Sequence, residues 1–179
     1  SAVNSALEQS DARIVGIERI SLAGGDDIVD LTSAHSQQGF VNDVLIEGGT
    51  GNDFLFGGAG NDTIVGGSGV DRIIGWRGDD VLTGGGPGGI GVGEQDRFVF
   101  SAETSGGIDK ITDYEVGVDQ IWLLGFGVAS YNDALAQVMS VEVGSEDTTI
   151  TLTSNQRTTE IILEGVTGPL DPSDFMVFT

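Results

Sequence analysis

Three nonapeptides stand head to tail in the centre of the chain: GGTGNDFLF (48–56), GGAGNDTIV (57–65) and GGSGVDRII (66–74). A fourth, GWRGDDVLT (75–83), keeps the frame, with Trp76 in place of the second glycine. Each has the form GGxGxDxUx, in which U is a large apolar residue. No other feature of the chain is as informative. The aspartates at position six follow one another every nine residues: Asp53, Asp62, Asp71 and Asp80.

The same frame extends to partial repeats on both sides of the four central ones. Upstream are LAGGDDIVD (22–30) and QGFVNDVLI (38–46), and downstream the frame continues at three further aspartates, Asp96, Asp109 and Asp119. A flexible Gly-rich linker would have no reason to keep position eight apolar. Here that position is apolar in all nine repeats: Val29, Leu45, Leu55, Ile64, Ile73, Leu82, Phe98, Ile111 and Ile121.

The spacing predicts a six-residue turn followed by a strand of about three residues. Strand side chains alternate between faces, so only the middle one, at position eight, points inward. Glycines supply backbone conformations with positive φ and leave the turn open, so that its carbonyl oxygens can point at an ion. Asp at position six adds a carboxylate, and a ligand set of oxygens suits calcium far better than zinc or copper. Several calcium ions are the predicted cofactor.

The charge of the chain supports a cation as partner. Seven Lys and Arg against 28 Asp and Glu give a formal charge of -21, which argues against nucleic acid or anionic membrane as partners. There is no Cys, hence no disulfide, and no stretch as long as a membrane-spanning helix. No N-terminal signal peptide is visible and the chain begins at Ser1, so we expect a piece excised from a larger protein.

The nonapeptides resemble the RTX family, the hemolysin-type calcium-binding repeats. The resemblance implies an all-β fold, a right-handed parallel β-roll, in which two repeats make one coil and repeats two apart stack with the ions between their turns. It implies one column of ligands at Asp43, Asp62 and Asp80, and another at Asp27, Asp53, Asp71 and Asp96. It also implies that turn residues contribute backbone carbonyls: Gly48, Thr50, Gly51, Gly57, Ala59, Gly60, Gly66, Ser68, Gly69, Gly75, Arg77 and Gly78.

Two inserts interrupt the frame, LTSAHSQ (31–37) and GGGPGGIGVGEQ (84–95). After the second, residues 96–126 predict three short strands, similar to the end of the roll in serralysin-type proteases, RTX lipases and alginate epimerase modules. That similarity implies further ligands at Asp109 and Asp113. A surface aspartate in a turn is the alternative for Asp113.

The flanks of the roll predict caps. Ser130 followed by YNDALAQVM predicts a short helix with an N-cap, and residues 148–154 and 158–166 predict a β-hairpin with its turn at Asn155 and Gln156. Such caps cover the open strand edges of a solenoid. We therefore expect a single RTX module over 1–179, with an N-terminal cap at 1–21, the roll at 22–122, and a C-terminal cap and secretion tail at 123–179.

The strands also carry apolar residues at outward positions, which need a covering partner. The partner is either the rest of the same module or, as a docking face, the upstream domain of the parent protein or another chain. These outward residues are Val44, Ile46, Phe54, Phe56, Val65 and Ile74.

The C-terminal sequence DPSDFMVFT resembles the uncleaved export tail of proteins that leave Gram-negative bacteria by type I secretion. A last strand packed on the cap is the alternative. An export tail would make the secretion machinery a partner, and the protein secreted, extracellular or attached to the cell surface.

No catalytic set of nucleophile, base and orienting group is visible, and the only histidine, His35, lies in a loop insert. We therefore predict a structural module rather than an enzyme. It would be extended at low calcium, fold on calcium binding after export, and assist an upstream cargo domain. The alternative is a calcium-stabilised adhesion module for polysaccharide or a cell surface. It requires a stripe of exposed aromatic or basic residues, at which Arg72, Arg77 and Arg97 hint.

Overall fold

The computed structural model describes residues 17–32, 40–86, 91–103, 106–154 and 157–179. Most of the predicted N-terminal cap, His35 and the predicted turn at Asn155 and Gln156 lie outside these ranges. The described elements are β1 (Arg19–Ser21), β2 (Ile28–Asp30), β3 (Leu45–Thr50), β4 (Phe54–Phe56), β5 (Thr63–Ser68), β6 (Arg72–Ile74), β7 (Val81–Gly85), β8 (Arg97–Ser101), β9 (Gly107–Ile111), β10 (Gln120–Leu124), α1 (Tyr131–Gln137), β11 (Met139–Val143), β12 (Thr148–Ser154), β13 (Arg157–Leu163), a 3-10 helix (Pro172–Asp174) and β14 (Phe175–Phe178).

The strands form two sheets in which neighbours in space alternate in sequence. The first sheet has the order β1-β3-β5-β7-β9-β13-β12-β11, and the second β14-β10-β8-β6-β4-β2. All pairs are parallel except β11 with β12 and β12 with β13. The chain therefore alternates between the sheets, and each coil of two strands stacks on the previous coil. This is the predicted parallel β-roll.

The core is the row of side chains at position eight, which points into the space between the sheets. Eight of the nine predicted residues lie in the buried core, from Val29 at one end to Ile121 at the other. Parallel pairing places them opposite one another, as in Leu55 with Ile73 and Ile64 with Leu82. Each coil thus adds two apolar side chains to a continuous core.

The frame predicted over residues 38–46 is wrong by one position. The structure pairs Leu45 with Thr63 and Ile46 with Ile64, and it is Ile46 that is fully buried. A shift of one residue moves every side chain to the other face of a strand. Val44 and Ile46, predicted to point outward, are therefore buried, whereas Asp43 is exposed.

The strands of the first sheet extend further than predicted. β3 and β5 each run for six residues, because the turn positions Gly49 and Thr50 pair with Gly67 and Ser68 of the next coil. Gly67 has a φ of 118° and Gly49 one of 103°, values that favour glycine. Trp76, which replaces glycine at the same repeat position, has a φ of 82°.

The C-terminal region extends both sheets. Ser130 caps α1, as predicted, by accepting a hydrogen bond from the backbone N–H of Asp133. The predicted hairpin is present as β12 and β13, and β13 pairs in parallel with β9. The last strand, β14, pairs in parallel with β10 of the second sheet. No helix in the described part of the chain is long and apolar enough to cross a membrane.

Candidate metal centre

The aspartates at position six of every second repeat form a hydrogen-bonded column along the roll. Asp53 accepts, through Oδ1, the backbone N–H of Asp27 at 2.8 Å. Asp71 binds the N–H of Asp53 and Asp96 that of Asp71, both at 2.8 Å. Asp119 extends the column by binding the N–H of Asp96 at 3.0 Å. Each carboxylate therefore reaches back to the same position of the preceding coil.

A second column runs through the other repeats. Asp62 accepts the N–H of Val44 at 3.0 Å, Asp80 that of Asp62 at 2.8 Å, and Asp109 that of Asp80 at 3.0 Å. Val44 therefore occupies the position in the column that the sequence predicted for Asp43. Asp43 lies one residue earlier, where its carboxylate binds the N–H of Asn61 at the surface. It is not part of the column of Asp62 and Asp80.

The second carboxylate oxygens of Asp53, Asp71 and Asp80 are buried and have no hydrogen-bond partner among the described residues. Leaving a buried carboxylate oxygen unpaired is costly. A cation is the partner that would satisfy such an oxygen.

Glycine at position one keeps the space around these oxygens open. A Cβ on Gly48 would lie 2.5 Å from both Oδ2 of Asp53 and the carbonyl oxygen of Gly66. A Cβ on Gly57 would lie 2.5 Å from both Oδ2 of Asp62 and the carbonyl oxygen of Gly75. Each aspartate thus shares a confined space with a carbonyl of the next stacked turn. Gly66 and Gly75 are crowded in the same way by Asp71 and Asp80.

The remaining predicted turn ligands lie in the contacts between coils. The carbonyl oxygens of Thr50 and Ser68 accept the N–H groups of Gly25 and Gly51. Ala59 donates its N–H to Phe40, and Arg77 donates its N–H to Gly58. The position-four glycines Gly51, Gly60, Gly69 and Gly78 pack against the backbone of the neighbouring turn, where a side chain would collide with it.

The ligands for an ion cannot all be side chains. Among the described residues, no group of three or more His, Cys, Asp or Glu is placed to hold a metal. Calcium accepts backbone carbonyls as readily as carboxylates. The open glycine turns and the unpaired aspartate oxygens therefore fit calcium, which carboxylates and backbone carbonyls would hold together.

The buried aspartates hold protons unusually tightly without a cation. Burial, followed by the charges of neighbouring aspartates, raises the pKa of Asp80 and Asp96 to about 8. Burial likewise raises the pKa of Asp109 to about 7, and that of Asp71 and Asp119 to about 6. These columns place like charges where water cannot solvate them. They therefore require either protons or cations.

Asp113 lies outside both columns. Its carboxylate accepts the N–H groups of Gly84 at 2.9 Å and Gly85 at 2.8 Å, and so fastens the end of β7. Asp113 also lines a cavity of about 30 Å³ at the end of the roll. The other acidic residues around this cavity are Glu94, Asp96, Glu115 and Asp119.

Sequence reasoning missed two features of the columns. Asp119 lies in the predicted frame, two residues before Ile121, and continues the first column, but it is not among the predicted site residues. A further ladder runs at position five, where Asn61 accepts the N–H of Asp79 at 2.9 Å. Asn52 accepts that of Val70 at 3.0 Å. The recurring Asn-Asp pair of the repeats was the signal for this ladder.

Comparison with known proteins identifies the repeats. The family model for the RTX calcium-binding nonapeptide repeat, in four copies, matches residues 45–73 and 56–86. None of the curated proteins matches the chain significantly.

Similar solved structures include the extracellular lipase LipA from Serratia marcescens, at 23% identity and a TM-score of 0.37 over 88% of this chain. The chain spans only 20% of the length of that lipase. The AlgE6R2 subunit of the mannuronan C5-epimerase from Azotobacter vinelandii is 24% identical, with a TM-score of 0.36 over 93% of this chain and 95% of the subunit. The AlgE6R3 subunit is 25% identical, with a TM-score of 0.28 over 92% and 81%.

The match of the family model coincides with β3 to β7, where the two columns of aspartates and the glycine turns are most regular. Residues 45–86 are therefore an array of RTX calcium-binding nonapeptide repeats.

Proposed function

We propose that this calcium-binding structural module is unfolded at low calcium and folds when calcium binds after export. Folding of the roll would then assist an upstream domain of the same polypeptide. The observation that carries the proposal is the pair of buried aspartate columns, in which unpaired carboxylate oxygens lie beside backbone carbonyls.

Calcium would be held between stacked turns by the aspartates of the two columns. The proposed carboxylate ligands are Asp27, Asp53, Asp71, Asp96 and Asp119 in one column, and Asp62, Asp80 and Asp109 in the other. The carbonyls of the position-one and position-three residues would complete the set, because glycine at position one keeps the space beside the carboxylates open. When bound, calcium supplies positive charge that offsets the repulsion between stacked carboxylates.

The expected free energies of calcium binding are large enough to make folding depend on the calcium concentration. Extracellular calcium modules bind with a Kd of roughly 10⁻⁴ to 10⁻³ M. Each tenfold excess of free calcium over Kd stabilises the folded form by about 1.4 kcal/mol per site. Because adjacent turns would share ligands, several sites would fill together and the transition would be steep.

Export by type I secretion from a Gram-negative bacterium is part of the proposal. A chain with a charge of -21 and unoccupied sites would stay extended, which suits a narrow channel. The export tail would include the residues of β14. The alternative interpretation, a last strand, is consistent with the pairing of Phe175–Phe178 with β10.

The adhesion alternative has partial support. Arg72 and Arg97 lie on the same sheet face as Phe54 and Trp122, but of these four residues only Phe54 is exposed, whereas the alternative requires an exposed stripe.

Circular dichroism and thermal melting, each with excess calcium and with EDTA, test the switch. Above pH 8, where the buried carboxylates are ionised, we expect the β spectrum and the melting transition only with calcium. Magnesium at the same ionic strength is the control, because its preference for octahedral geometry and bound water makes it a poor substitute in carbonyl-rich turns. An EDTA-treated protein that keeps its spectrum and melting temperature would refute the switch.

A further inference from the structure

One outward face of the second sheet carries a cluster that the calcium sites do not use. Arg72 and Arg97 are in register on adjacent strands, with Phe54 on one side and Trp122 on the other. Phe178 of β14 packs against Trp122 at 4.9 Å between ring centroids. We refer to these five residues as the arginine-aromatic face.

The two arginines have no anionic partner in the described part of the chain. No hydrogen bond or ion pair joins either guanidinium group to another described residue, and the Nε atoms of both are buried and unpaired. Elsewhere, Arg19 pairs with Glu47 and Lys110 with Glu164. In a chain with 28 acidic residues, two neighbouring arginines without an anionic partner are unusual.

Like charges directly opposite one another on neighbouring strands destabilise a sheet. Burial, and then the charge of Arg97, lowers the pKa of Arg72. The aromatic rings hold the guanidinium groups in place despite this repulsion. Arg72 lies 4.7 Å from the ring centre of Phe54 and 4.5 Å from that of Trp122, and Arg97 lies 5.4 Å from Trp122. The face is thus ordered around two charges that lack a counter-ion.

We propose that the arginine-aromatic face binds a protein partner that presents a carboxylate from an apolar surface. The carboxylate would bridge Arg72 and Arg97, since planar guanidinium groups bind carboxylates in a bidentate manner. Apolar side chains of the partner would cover the exposed flank of the face. This proposal does not depend on whether calcium triggers folding, because it concerns the calcium-loaded roll.

The surroundings favour a protein over a glycan. The indole ring of Trp122 already packs against both guanidinium groups and the ring of Phe178, which leaves less of it free to stack on a sugar. Exposed apolar side chains lie in and beside the cluster: Phe178, a member of it, is 37% exposed, and the neighbouring Ile28 and Met176 are 76% and 40% exposed. Aromatic residues, Met and Arg are the residue types enriched in protein interfaces and their hot spots.

Panning a random peptide display library on the calcium-loaded protein tests the proposal. We expect enrichment of peptides with Asp or Glu beside aromatic or aliphatic residues. Their affinity should fall about tenfold or more in the double variant Arg72→Gln/Arg97→Gln, because the carboxylate would lose both partners. The matched control is Arg157→Gln, which removes an exposed arginine that donates to the backbone of Glu103.

A second double variant, Arg72→Lys/Arg97→Lys, keeps the charge but loses the planar group, and we expect intermediate affinity. Calcium-dependent melting of each variant verifies that it folds. Selection without enrichment of acidic peptides would overturn the proposal, as would equal binding to the wild type and to both double variants. Binding of polygalacturonate that both double variants weaken, without acidic peptides being enriched, would assign the face to a glycan instead.

Discussion

Three of the aspartates at position six divide their two oxygens between two roles. In Asp53, Asp71 and Asp80, Oδ1 binds a backbone N–H of the preceding coil, whereas Oδ2 is buried without a partner. The first oxygen fixes the side chain, so the second is presented in a set position. A single residue type can therefore join the coils and offer a ligand at the same time.

Comparing Asp71→Asn with Asp43→Asn tests this assignment. Asn at position 71 can still accept the N–H of Asp53 but loses the charge that would face calcium. We expect the calcium concentration at the folding midpoint to rise about tenfold, the equivalent of 1.4 kcal/mol. Asp43→Asn should change the midpoint little, because Asn can still accept the N–H of Asn61 at the surface. Calcium titrations followed by circular dichroism measure both.

The two variants carry the same change in charge, so a general effect of charge would shift both midpoints equally. Equal shifts of the two midpoints, or a larger shift for Asp43→Asn, would contradict the prediction and show that Asp43 belongs to the metal-binding column.

At the scale of single residues, the sequence predicted the central repeats because the glycines, the aspartate and the apolar residue all fit the same nine-residue frame. Residues 38–46 lack the glycines of positions one and four, so the frame there depended only on an Asp two residues before an apolar residue. Val44 and Ile46 satisfy the burial pattern better than Asp43 and Leu45, but only pairing with β5 reveals it.

Two kinds of strand make up the first sheet. The roll strands β3, β5 and β7 are stacked through aspartates and glycine turns. The antiparallel strands β12 and β13 are held by buried apolar side chains and adjacent pairing, as in Ile150 opposite Ile161. The antiparallel part therefore contains no proposed calcium ligand.

Hydrogen exchange along a calcium titration should separate the two kinds of strand. As calcium falls, amides of β3 to β7 should lose protection first, since their carboxylates then repel. Amides of β12 and β13 should stay protected to lower calcium, because their contacts are local and apolar. Mass spectrometry of the exchanged peptides measures this order. Fully loaded protein, protected in both regions, is the control, and simultaneous loss at every concentration would contradict the prediction.

Local sequence signals predicted α1 and the hairpin well. The N-cap serine and the β-branched residues of the strands are signals that lie within or next to the elements they predict. The six-residue length of β3 and β5 was missed because Gly49 and Thr50 become strand residues only through the coil stacked on them. Contacts of this kind cannot be recognised from a nonapeptide alone.

At the scale of the molecule, the folded form buries negative charge in two separate columns. One contains Asp62, Asp80 and Asp109, and the other Asp53, Asp71 and Asp96. The pKa values raised by this burial mean that the calcium-free fold binds protons more tightly than the unfolded chain does. Protons therefore stabilise the calcium-free fold, and this contribution is lost as pH rises through the raised values.

In EDTA, we expect the β spectrum and melting temperature to increase as pH falls from about 8 to about 5. The raised pKa values, about 8 for Asp80 and about 6 for Asp71, define this window. Surface carboxylates titrate near 4, so their neutralisation does not explain a change at higher pH. With calcium, the same acidification should raise the calcium midpoint, since protons compete for the carboxylates. Melting temperatures in EDTA that stay constant or fall on acidification would contradict the prediction.

The acidic composition predicted that folding of the chain depends on a cation, and the nonapeptide repeat predicted that alternate strands stack on one another. The positions of β13 and β14 were beyond sequence reasoning. Their partners β9 and β10 lie about fifty residues earlier, and nothing in the local pattern of either strand specifies a parallel neighbour.

The column hydrogen bonds join equivalent positions of successive coils, whatever the number of residues between them. They join aspartates 18 apart in Asp53 and Asp71, 25 apart in Asp71 and Asp96, and 23 apart in Asp96 and Asp119. The hydrogen bond is the same in each case, although the number of residues between the aspartates differs. The connections between coils are thus places where new sequence of any chemistry can be grafted while the ladder on either side stays intact. The module can acquire or lose surface loops without rebuilding its axis.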